Sequence, residues 1–61
     1  MNITIKIHTN PGATYEDLSC ALERIQQRVD QDEDRDVQEG DHFYVKMDGL
    51  PVADVMIVVE P

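Results

Sequence analysis

Val52–Val59 reads VADVMIVV, seven apolar residues interrupted only by Asp54. A half-buried strand alternates polar and apolar residues, so a nearly continuous apolar run belongs to a strand covered on both faces. Immediately upstream, Asp48-Gly49 is a hairpin signal. Before it, His42–Asp48 alternates, with Phe43, Val45 and Met47 on one face and His42, Tyr44 and Lys46 on the other. Parity constrains the connection. A two-residue loop would put Phe43 on the same face as Asp54, whereas an odd-length loop groups Phe43 and Val45 with Ala53, Val55 and Ile57. The expectation is therefore a loop of three or five residues with Gly49 at positive φ.

Asn2–Thr9 also alternates, with Ile3, Ile5 and Ile7 opposite Thr4, Lys6 and His8, the pattern of a half-buried strand. Asn10-Pro11-Gly12 then breaks the chain. Thr14 is a natural N-cap, and Asp17 three positions on supplies the acidic half of a capping box. Leu18, Leu22, Ile25 and Val29 follow in one narrow helical stripe, with Ala21 on its flank. A helix is predicted over Tyr15–Asp30, fraying where carboxylates meet the negative end of its dipole.

The order is β-α-β-β. A right-handed crossover leaves room for the apolar last strand between the other two. The expected architecture is a small α+β domain, with one helix packed on a three-stranded antiparallel sheet of order 1-3-2. No repeat or linker divides the chain, which reads as a single domain over residues 1–61 with an acidic loop at 30–41. Ile5, Leu22, Ile25, Phe43 and Ile57 are the expected core.

A chain of 61 residues carries a marginal core. Below roughly 70–80 residues a single core seldom supplies more than ~3–5 kcal/mol without a staple. Cys20 is the only cysteine, so no intrachain disulfide forms, and no Cys/His cluster suggests zinc. Self-association is the staple that remains, and a homodimer is expected. The chain contains no apolar run of membrane-spanning length. Residues 1–9 alternate rather than forming the apolar core of a signal peptide, and the single thiol fits a reducing compartment, so a cytoplasmic location is expected.

Asp30–Asp41, DQDEDRDVQEGD, holds Asp30, Asp32, Glu33, Asp34, Asp36, Glu39 and Asp41 against one base, Arg35. The whole chain carries a formal charge of −8. That charge repels nucleic acid and anionic membrane and favours a basic protein as partner. Asp30, Asp32, Asp34 and Asp36 have the spacing of a calcium loop, but Arg35 replaces its glycine and Asp41 its final glutamate. Densely spaced carboxylates can also imitate phosphates in a basic groove.

Cys20 falls on the outer helix face, about 190° from the stripe by the helical 100° per residue. Its role is that of an incidental exposed thiol. His8 and His42 are placed at opposite ends of the sheet, too far apart to share a ligand. On the face away from the helix, Tyr44, Met56 and Val58 are candidates for self-association, and the first strand offers an edge as a second route. No catalytic constellation and no cofactor are implied.

These features point to a small non-enzymatic protein-binding module, an inhibitor or modulator docking on a nucleic-acid-handling protein, of the kind phages and mobile elements carry. The competing expectations are a structural homodimer whose acidic loop serves solubility and, behind it, a calcium-responsive module.

Overall fold

β3 (Leu50–Glu60) lies between β1 (Asn2–Thr9) and β2 (Asp41–Met47), antiparallel to both. The computed structural model describes residues 1–61; α1 (Tyr15–Gln31) follows β1, and a 3-10 turn over Val37–Glu39 precedes β2. This is the α+β architecture and the 1-3-2 order expected from the apolar run. Each row of the sheet crosses all three strands. Ile7, Val55 and Phe43 form one row, Thr9, Ala53 and Val45 the next, and Ile5, Ile57 and Asp41 the third. These rows face α1.

The hairpin departs from expectation in an instructive way. Asp48 and Gly49 form a two-residue turn with φ of 53° and 80°, as a type I′ turn requires. Two residues alone would have placed Phe43 with Asp54. Instead Met47 pairs with Leu50 and Lys46 with Pro51, and the register then shifts so that Val45 pairs with Ala53. Val52 is the extra residue of a β-bulge. The bulge supplies the odd count that the core needs, so the predicted facing residues are right and the predicted loop length is wrong.

α1 starts at the predicted capping box. The Thr14 hydroxyl accepts from the Asp17 N–H at 3.4 Å, and the Asp17 carboxylate accepts from the Thr14 N–H at 2.9 Å. The helix ends within one residue of the expected Asp30. It continues to Gln31, where the Asp32 N–H still donates to the Arg28 carbonyl and Arg28 supplies a cation in the last turn. Gly40 then turns the chain into β2 at φ 67°, and a Cβ there would stand 2.8 Å from the Ile57 carbonyl oxygen. No side chain larger than hydrogen fits that approach.

The core is small: Ala21, Ile25, Phe43, Val45, Ala53 and Val55 are the buried residues. Ile25 and Phe43 are as expected, and Ile57 is half-buried against them. Ile5 and Leu22 are not core residues, being 49% and 53% exposed. The cause is the rotation and seat of α1. Its buried face centres on Ala21 and Ile25 rather than on the Leu18–Val29 stripe. The small Ala21 lets the helix backbone approach the β2–β3 side of the sheet, which leaves Leu22 and Val29 about half exposed. The same rotation brings Cys20, expected on the outer face, into half-buried contact with the core.

Candidate functional site

Residues 30–41 are an ordered structure built around two arginines. Arg35 Nε lies 2.7 Å from Glu39, its Nη1 3.4 Å from Asp32, and its Nη2 donates to the Gly40 carbonyl at 3.0 Å. Arg28, reaching across from α1, forks onto both oxygens of Asp41 at 2.8 and 3.3 Å, and its guanidinium carbon lies 5.1 Å from the Phe43 ring centroid. Asp36 caps the 3-10 turn by accepting from the Gln38 N–H at 2.9 Å. The helix end, the acidic run and β2 are thereby tied together.

The electrostatics follow from these contacts. The hydrogen bonds from Arg28 hold the Asp41 carboxyl below its ordinary range, against the opposing effect of desolvation, and the His42 N–H adds to the lowering. Asp41 in turn raises Arg28, and Glu39 raises Arg35.

The seven carboxylates therefore fall into two groups. Asp32, Glu39 and Asp41 hold ion pairs with Arg28 or Arg35. Asp30, Glu33, Asp34 and Asp36 are exposed and form no ion pair, although Asp30 accepts from the Gln26 amide at 3.1 Å. No three His, Cys, Asp or Glu side chains are grouped so as to hold a metal ion. A hollow of about 200 Å³ adjoins the run, lined by Val29, Val37 and Ile57, by Glu33 and Asp36, and by Arg28 and Arg35 with their paired carboxylates.

On the opposite sheet face Tyr44 is 59% exposed, Met56 is 37% exposed and Val58 is half-buried. They share that face with Lys6, Lys46, His8 and His42, so the only two lysines of the chain and both histidines lie there. His8 and His42 are not at opposite ends. β2 is staggered so that its start lies level with the middle of β3: His8 pairs with Asp54, and His42 with Met56 one step along. His42 Nε2 lies 3.9 Å from the Asp54 carboxylate, and the His42 ring lies 5.4 Å from that of Tyr44.

Arg28 is the residue that the sequence reading missed. It sits seven positions after Ala21 and three after Ile25, on the same helical face, and that spacing was the available signal. No helix of the chain is long and apolar enough to cross a membrane. No family model matches this sequence, and neither curated proteins nor solved structures yield a match.

Proposed function

We propose that this chain is a non-enzymatic acidic binding module that docks Asp30, Glu33, Asp34 and Asp36 on a basic surface of another protein. Its concrete form is an inhibitor or modulator of a nucleic-acid-handling protein, acting in the cytoplasm. The observation that carries this reading is the division of the acidic run. Three carboxylates are consumed in holding Arg28 and Arg35, and the other four, without ion pairs, project from the scaffold so formed. The arginine contacts hold the backbone that carries these carboxylates, so docking orders side chains rather than a whole loose segment. The adjoining hollow offers Val29, Val37 and Ile57 to the aliphatic stem of a partner side chain; Arg28 and Arg35 also line it, so a partner's cationic head is drawn to Glu33 and Asp36 at some distance from them.

The test is a fourfold variant, Asp30→Asn, Glu33→Gln, Asp34→Asn and Asp36→Asn, compared with the parent in capture from cell extract at low and physiological salt. The expected outcome is an unchanged fold by circular dichroism and loss of the captured basic protein. The parent complex should weaken steeply as salt rises. A partner held equally by parent and variant at every salt concentration would remove the acidic run from the mechanism.

A further inference from the structure

We propose that a second copy of this chain pairs with β1, edge to edge and antiparallel, and covers the apolar flank between β1 and α1. The first ground is surface area. A folded monomer of 7.0 kDa should expose about 4,000 Å², and this one exposes 4719 Å². Its radius of gyration is 12.1 Å, where a compact chain of this length has about 10.5 Å. The excess approaches the roughly 800 Å² that each partner buries in a standard interface.

Part of the exposed apolar surface adjoins one edge of the sheet. Because α1 is seated toward β2 and β3, Ile3 and Ile5 on the helix-facing side of β1 and Leu22 on α1 stand half-exposed. Beside them runs an unpaired strand edge. β1 bonds only to β3, and over its eight residues it has neither proline nor bulge. The one bulge of the sheet lies between β2 and β3 and leaves the β1 edge regular.

The strand also complements itself. Antiparallel pairing centred on Ile5 sets Ile5 against Ile5, Ile3 against Ile7, Thr4 against Lys6 and Asn2 against His8. All the isoleucines fall on the helix side, and no like charges oppose. β1 is moreover the one helix or strand that contains no carboxylate, while its Lys6 is positive. For a chain of net −8 it is the place where two copies meet with least repulsion. None of these grounds depends on the acidic run.

Sedimentation equilibrium at low and high salt tests the pairing. The expected result is a dimer at micromolar concentration, roughly tenfold tighter at high salt as net repulsion is screened. Ile5→Lys sets two ammonium groups against each other and should weaken association by about a hundredfold or more, with helix and sheet retained by circular dichroism. For the register, Ile5→Cys in a Cys20→Ser background should oxidise to a disulfide-linked dimer, since directly opposed strand residues have the required Cα separation. Tyr44→Cys in the same background should not.

The parent remaining monomeric at hundreds of micromolar in both salts would overturn the proposal. So would a dimer that survives Ile5→Lys and fails to cross-link through position 5. A monomer whose capture of a foreign partner is abolished by Ile5→Lys would likewise overturn it, giving the edge to a partner's strand instead. The fourfold acidic variant separates this idea from the docking reading, because it should dimerise at least as tightly as the parent whether or not it loses its partner.

Discussion

Arg28 and Asp41 carry the coupling between helix and sheet at the acid end of the molecule. Sequence spacing places both on the inner side, but their pairing depends on a helix rotation that hydrophobic pattern alone does not specify. The Asp41 side chain is only 12% exposed, and the Arg28 fork holds its carboxyl below the ordinary value of 3.8. A carboxyl lowered in the folded state adds stability above its unfolded pKa and loses that contribution as pH falls through the folded one. Asp41→Asn should therefore lower the melting temperature by several degrees at neutral pH. The gap between parent and variant should shrink once the pH falls below about 3.8. Thermal melts across an acid pH series check this, and a gap that persists undiminished into strong acid would dissociate Asp41 from the acid response.

Among the elements, strand faces were legible and the helix seat was not. Alternation in Asn2–Thr9 and His42–Met47, with the apolar run of β3, identifies which residues share a face, because strand periodicity admits only two choices. A helix can rotate continuously, and here Ala21, too small to stand out in a hydrophobic stripe, set the angle. The bulge at Val52 was likewise hidden, although the parity conflict it resolves was visible. The four carboxylates without ion pairs could not be told in sequence from the three held by arginine, since the division depends on Arg28 arriving from another element. The helix seat has a direct consequence for stability. Phe43→Ala should cost about 3–5 kcal/mol, while Leu22→Ala, at a residue 53% exposed, should cost no more than about 1 kcal/mol in dilute solution. Denaturant titrations of the two variants decide between the rotated helix and one centred on Leu22, which would make the costs comparable.

Across the whole molecule, charge is segregated. Lys6, Lys46 and the two histidines lie on the open sheet face, while Arg28 and Arg35 are spent within the acidic run. Two opposing effects of salt follow. Screening weakens the Arg28 and Arg35 ion pairs, and it also relieves the self-repulsion of a chain with net charge −8. Exposed ion pairs contribute little individually, and the side chains of Arg28 and Arg35 are more than a third exposed. Repulsion summed over thirteen carboxylates should therefore dominate. Melts of Ile5→Lys, chosen so that association does not change with salt, should shift to higher temperature as sodium chloride is added. Neutralising Asp30, Glu33, Asp34 and Asp36 in that background should raise the low-salt melting temperature and flatten its salt dependence, because those four groups repel without an ion pair in return. A melting temperature that falls with salt would mean that the arginine network outweighs the repulsion, and that the acidic run is held chiefly for stability.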